Sequence, residues 1–181
     1  MYRLFVALDL PEDIRKELSL ICYGLPGAKW VKEEQIHITL KFIGEVDGGL
    51  FRDIREELDG IKGEPFSLRI KGTGCFPPGK KPHVLWAGLE KSEELNQLKA
   101  RVDNRLKGLG IEPEKRKFSP HITLARLFRA PVKRVSQFLA GHSFFTLPAF
   151  KVKEFHLYSS MLNSGGAIHR IQATYPLSGP E

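Results

Sequence analysis

The sequence predicts an α+β protein of two lobes related by an approximate twofold axis, each a mainly antiparallel sheet backed by helices, with an active-site cleft between them. Two observations carry this reading. The tetrapeptide His37-Ile38-Thr39-Leu40 recurs as His121-Ile122-Thr123-Leu124, each copy inside an apolar, β-branched run. The elements around each copy also follow one order, strand, helix, strand, helix, strand. A chain of 181 residues, 41% of them hydrophobic, can form such a core without staples. The repeat units span about 3–76 and 83–162, and a closing strand, 167–175, completes one bilobal domain over 1–181.

The first unit opens on a strand at 4–8 and a helix over 11–25. Pro11 suits the first turn, Glu12 and Asp13 favour the positive end of the helix, and Ile14, Leu18 and Ile21 recur at helical spacing. Gly24-Leu25-Pro26-Gly27 ends it. After Trp30-Val31 comes the first repeated strand, 36–43, then a turn over 44–49 and a helix over 50–61 with Phe51, Ile54, Leu58 and Ile61 inward. A strand at 66–72 alternates Phe66, Leu68 and Ile70 with Ser67, Arg69 and Lys71. Residues 72–82, dense in Gly, Pro and cations, read as a surface loop between the halves.

The second unit repeats the series. It has a strand at 83–89, a helix over 93–109 with Leu95, Leu98, Val102 and Leu106 inward, and a basic loop at 114–117. The second repeated strand, 122–127, is followed by a helix near 132–139 and a strand at 151–159. Asn163-Ser164-Gly165-Gly166 turns the chain into the closing strand.

Side chains alternate along a strand, so His37 shares a face with Thr39, and His121 with Thr123. One such pair is a common polar sheet face. Two copies in the same apolar frame exceed what core packing demands. Facing each other across a cleft, two imidazoles suit in-line displacement at phosphorus, which needs a base on the attacking oxygen and an acid on the leaving oxygen at opposite apices. Histidine, with an unperturbed pKa of about 6.5, serves either role near neutrality. The threonine hydroxyls suit the non-bridging oxygens as charge builds there.

Under strict alternation Lys41 also shares the His37 face and is a further candidate phosphate contact. Phe76, Trp30 and Tyr158 are candidates to stack a base. His83, His142, His156 and His169 lie in no repeated context, and His156 reads as a satisfied sheet histidine. No H-E-x-x-H, carboxylate cluster, P-loop or G-x-S-x-G is present, so neither metal nor other cofactor is expected.

A net charge of +7 points toward a polyanionic partner. Cys22 and Cys75, in unrelated contexts, read as reduced buried thiols. The apolar run before Asp9 is too short for a signal core or a membrane span. A cytoplasmic protein, off the membrane and monomeric, is expected.

The stretches Arg3-Leu4-Phe5-Val6-Ala7-Leu8-Asp9-Leu10-Pro11, Trp30-Val31 leading to His37-Ile38-Thr39-Leu40-Lys41-Phe42-Ile43-Gly44, Leu85-Trp86-Ala87-Gly88-Leu89 and Phe118-Ser119-Pro120-His121-Ile122-Thr123-Leu124-Ala125-Arg126 together resemble the 2H phosphoesterase superfamily. Within it they are most similar to the RNA 2′,3′-cyclic phosphodiesterases long called 2′-5′ RNA ligases. The resemblance covers nearly the whole chain. It implies metal-independent hydrolysis of an RNA terminal 2′,3′-cyclic phosphate, or of small cyclic nucleotides, to a 2′-phosphomonoester. His37 would be the proton donor to the departing 3′ oxygen, His121 the proton acceptor from water, and Thr39 and Thr123 would hold the phosphate.

The resemblance also implies a phosphate contact for Arg126, although strict alternation sets Arg126 opposite His121; the strand ends or bends there, or the guanidinium reaches round. Ligation through a 2′-5′ bond, with a 5′-hydroxyl in place of water, needs the same groups. A non-enzymatic RNA-binding module is a further alternative, against which the paired histidines count, since phosphate binding alone favours Arg or Lys.

Overall fold

The structure, a computed structural model, describes residues 1–79 and 81–179. Its elements are β1 (Tyr2–Asp9), α1 (Glu12–Leu20), β2 (Ala28–Trp30), β3 (His37–Val46), α2 (Gly48–Asp59), β4 (Phe66–Leu68), β5 (Ile70–Phe76), β6 (Val84–Leu89), α3 (Glu93–Lys107), β7 (His121–Leu127), α4 (Val132–Gly141), β8 (Phe150–Val152), β9 (Glu154–Asn163) and β10 (Gly166–Pro176). Two four-stranded antiparallel sheets, in the orders β10-β9-β1-β3 and β2-β7-β6-β5, account for the two lobes, and β4 pairs with β8 as a small third sheet. No described helix is long and apolar enough to cross a membrane.

Within each large sheet three strands repeat one arrangement: β9-β1-β3 in one, β5-β6-β7 in the other. Each lobe is therefore assembled from both halves of the sequence. β5, from the first half, pairs with β6; β9, from the second, pairs with β1. This exchange ties the lobes together, since neither sheet can form from one half alone. The three strands of each sheet feed one main apolar core, with Val6, Leu8, Leu85, Ile122 and Leu157 fully buried.

The helices form where capping and amphipathic spacing coincide. Asp47 accepts a hydrogen bond from the Leu50 amide and Ser92 one from the Leu95 amide, starting α2 and α3. The expected turn at 44–49 is thus strand as far as Val46, and α2 starts at Gly48. α1 stops at Leu20, short of the expected position 25, because the chain closes into a turn in which the Cys22 amide donates to Ser19 O.

The segment expected as a loop over 72–82 is β strand as far as Phe76, and only the following residues form the loop; Lys80 lies outside the described residues. Gly74 and, in β6, Gly88 serve packing. A Cβ on Gly74 would overlap the Trp86 indole, and one on Gly88 would press on the Lys71 carbonyl at 2.6 Å. Gly72, at φ +75°, absorbs the register shift between β5 and β6.

Candidate active site

Both repeated strands carry the same irregularity. In β7, Thr123 pairs with Trp86 but Ala125 pairs with Leu85, so Leu124 is the extra residue of a β-bulge. In β3, Thr39 pairs with Ala7 but Lys41 pairs with Val6, and Leu40 is the extra residue. A bulge shifts the alternation by one residue beyond it. Arg126 therefore shares the face of His121 and Thr123, which answers the alternation that set it on the other side. Lys41 is turned away from His37, contrary to the sequence expectation, and Phe42 takes the His37 face instead.

Lys41 is 2% exposed; its Nζ donates to Glu112 O at 2.6 Å and lies 3.6 Å from Asp103, which also pairs with Lys99 at 3.0 Å. It ties the first repeated strand to α3 and to the segment that leads into His121.

The two imidazoles are held alike. His37 Nδ1 donates to Gln35 O at 2.7 Å and His121 Nδ1 to Ser119 O at 2.8 Å, in each case the carbonyl two residues earlier. With Nδ1–H tied to a carbonyl, Nε2 is the ring nitrogen free to take up or release a proton. His37 Nε2 lies 3.0 Å from Thr39 Oγ1, so the hydroxyl donates to the neutral ring. Among the described residues no matching bond links His121 to Thr123.

The surroundings differ. His37 stands beside Phe5, with ring centroids 5.2 Å apart, and Tyr158 at 6.3 Å; Phe5, Ala7 and Tyr158 form a small apolar cluster of their own beneath it. Burial, with smaller contributions from the charges of His169 and His121, lowers the His37 pKa to about 4, while the Gln35 carbonyl and Asp9 oppose the shift. The free protein thus holds His37 neutral at pH 7. His121 meets Phe76 edge-on at 4.9 Å and Trp86 at 6.3 Å.

The structure therefore gathers His37, Thr39, His121, Thr123, Arg126 and Phe76 on the inward faces, with Tyr158, 9% exposed, as part of the floor. It does not bring Trp30 there. Trp30 pairs with Ala125, and its ring packs against Phe138 of α4 on the opposite side of the sheet.

Two residues went unselected in the sequence. Phe42, 64% exposed and 6.0 Å from Phe5, occupies on the first wall the place that Arg126 occupies on the second; aligning the two repeats pairs these positions directly. His169 lies edge-on to His37 at 5.3 Å and to Phe5 at 4.9 Å. Its Nδ1 is buried with no hydrogen-bond partner among the described residues, and burial lowers its pKa. The β9–β10 hairpin brings it there by reaching back to the first wall, where Gln35 Nε2 donates to Ala167 O at 2.6 Å. His156 is the satisfied sheet histidine expected, its Nδ1 2.9 Å from Thr174 Oγ1.

Among the described residues no three His, Cys, Asp or Glu side chains cluster as metal ligands. A concavity of about 720 Å³, lined by Lys62, Phe66, Gln97, Arg101 and Lys151 among others, contains neither cleft histidine. The paired motifs, by contrast, bring two titratable rings and two hydroxyls together.

Comparison with known proteins gives a consistent picture. The family described as LigT like Phosphoesterase matches twice, over residues 8–86 and 88–169. An RNA 2′,3′-cyclic phosphodiesterase of Thermotoga maritima is 37% identical over 93% of this chain and 92% of its own length. One from Archaeoglobus fulgidus is 34% identical over 93% and 96%. The crystal structure of TT0787 of Thermus thermophilus superposes with a TM-score of 0.82 at 29% identity, covering 99% of this chain and all of the other.

Proposed function

The chain belongs to the LigT-like phosphoesterase family and is an enzyme, and from that premise we propose that it hydrolyses the terminal 2′,3′-cyclic phosphodiester of RNA to a 2′-phosphomonoester, without a metal ion, by general acid and base catalysis between His37 and His121. The observation that carries this reading is the identical seating of the two rings: each Nδ1–H is tied to the carbonyl two residues earlier, and each Nε2 is left for proton transfer.

The phosphate sits between the walls, its non-bridging oxygens against Thr39, Thr123 and Arg126. As the substrate enters, Thr39 turns its O–H from His37 Nε2 to a phosphate oxygen, and the freed Nε2 faces the leaving 3′ oxygen. His121 Nε2 takes the proton of the attacking water. In-line attack breaks the P–O3′ bond, the O3′ receives the His37 proton, and the 2′-phosphate remains. The rings of Phe42 and Phe76 flank this position and are suited to stacking the terminal base, a contact of roughly 1–3 kcal/mol.

One observation favours the reversed roles. A ring with its pKa lowered to about 4 is neutral in the free protein and ready to act as the base. As donor, His37 needs the negative charge of the bound phosphate to raise its proton affinity, so that the ring carries a proton when the substrate is in place. Substituting sulfur for the bridging 3′ oxygen separates the two, because a thiolate leaves without protonation. His37→Ala should recover most of its lost rate on that substrate if His37 is the donor, and His121→Ala if the roles are reversed.

The primary test incubates the protein in EDTA with a short RNA ending in a 2′,3′-cyclic phosphate, beside His37→Ala and His121→Ala, and identifies the product terminus. A 2′-phosphate formed by the wild type and by neither variant is the expected result. No conversion by folded wild-type protein overturns the reading. A 2′-5′ joined product, if a 5′-hydroxyl RNA is supplied, would reveal ligation at the same site.

A further inference from the structure

We propose that Lys29, with Arg126 shared between it and the reacting phosphate, forms a second phosphate subsite, which takes the 5′-phosphate of the terminal nucleotide and so favours an RNA chain over a free cyclic mononucleotide. The inference rests on the proposed reaction for the position of the terminal phosphate.

Its basis is strand register. β2 is a three-residue edge strand paired only with β7, and in that pairing Lys29 stands directly opposite Arg126. Directly paired residues project from the same face of a sheet, with strands about 4.8 Å apart. The bulge at Leu124 puts Arg126 on the face of Thr123 and His121, so Lys29 emerges on that face too. Trp30, packed on Phe138 on the other side, fixes the orientation of the strand.

Two cations opposite each other across a ladder repel, and a sheet that keeps them without a carboxylate between loses stability by doing so. Lys29 and Arg126 are both exposed, and neither makes an ion pair with a described acidic residue. A bound phosphodiester relieves the repulsion by bridging both side chains. The pair also lies on the way out of the cleft: past β2 the sheet ends, so a chain running from His121 over Arg126 and Lys29 leaves across an open edge. The first wall offers no counterpart, because the place of Arg126 is taken by Phe42 and β3 is already the sheet edge.

Equilibrium binding tests this apart from turnover. Three probes are a nucleoside 2′-phosphate, a nucleoside 2′,5′-bisphosphate and a short RNA ending in a 2′-phosphate, each titrated against wild type, Lys29→Ala and Lys29→Arg. Lys29→Ala should weaken the bisphosphate and the RNA about fivefold and leave the 2′-phosphate within twofold. It should also lower the slope of log affinity against log salt for RNA by about 0.7, and Lys29→Arg should restore both. An equal loss on all three probes, or no loss on the two longer ones, overturns the subsite. Wild-type protein that binds with this pattern but turns over no cyclic phosphate overturns the proposed reaction and leaves the subsite standing.

Discussion

The two walls of the cleft share a tetrapeptide, a bulge at its leucine and a histidine tied to the carbonyl two residues before it, yet just past the bulge the first wall carries a ring, Phe42, where the second carries a cation, Arg126. On the first, Phe5, Phe42, Tyr158 and His169 crowd His37. On the second, Arg126 and Lys29 extend the face beyond Thr123. What the walls share is what any in-line displacement needs. What they do not share comes from single residues after the bulge and from one added strand each, β10 with His169 and β2 with Lys29. In the proposed reaction the symmetric part would serve the chemistry and the asymmetric part the substrate, whose base and backbone are not alike.

The largest effects should come from breaking what is shared. His37→Gln and His121→Gln should each lower kcat on a cyclic-phosphate RNA by about 10²- to 10⁴-fold, with the double variant no worse than about tenfold below the weaker single, since the rings act as one unit. Losses that multiply fully, measured under saturating substrate, would show two independent contributions and contradict the concerted arrangement.

Exchanging what is not shared should be milder and should divide by wall. Arg126→Ala removes a charge beside the developing phosphate and should reduce kcat/KM by about 10²-fold. Phe42→Ala should raise KM by roughly tenfold through lost base stacking and leave kcat nearly intact. Steady-state kinetics of the two variants on one RNA decide the matter: a fall in kcat for Phe42→Ala would place the ring in the chemistry rather than in base recognition.

How far the sequence foretold this arrangement depends on the range over which each feature is set. The repeated His-Ile-Thr-Leu and the helices were legible because capping and periodicity act within a few residues. The bulges were not, because a bulge is defined by the partner strand; strict alternation therefore placed Lys41 in the site and Arg126 outside it, the reverse of the register observed. The later part of β5 looked like a loop because Gly72 and Gly74 are loop formers in isolation; the register shift at Gly72 and the Trp86 ring lying on Gly74 explain their place in a strand. His169 carried no local signal at all, since the bend of a distant hairpin brings it to His37. The exchange of β5 and β9 between halves is likewise a matter of long-range pairing.

The corrected residue gives the next smaller prediction. Ala125, the partner of Lys41 in the repeat, is fully buried and needs nothing, whereas buried Lys41 must satisfy an ammonium. Lys41→Met keeps the volume but leaves the Glu112 carbonyl without its donor; Lys99 still neutralises Asp103, which limits the cost to about 2 kcal/mol. A fall in Tm of roughly 4–8 °C should follow, with KM unchanged at temperatures where the protein is folded. A raised KM without loss of stability would return Lys41 to the phosphate site.

The last effect concerns stability and isolates the enclosed wall. His37 titrates near 4 in the folded protein and near 6.5 in the unfolded chain, so between these values the unfolded state binds more protons. The stability contributed by the neutral ring is complete above about pH 6.5 and is lost as the pH falls toward 4. His156 and His169, also lowered by burial, act in the same direction, so wild type alone does not isolate His37. The difference between wild type and His37→Gln does, because the other histidines remain in both. Urea midpoints measured from pH 7 to pH 4.5 should fall more steeply for wild type than for the variant. Parallel curves would mean that His37 is as free to protonate as a solvent-exposed ring, and that the aromatic wall does not enclose it in solution.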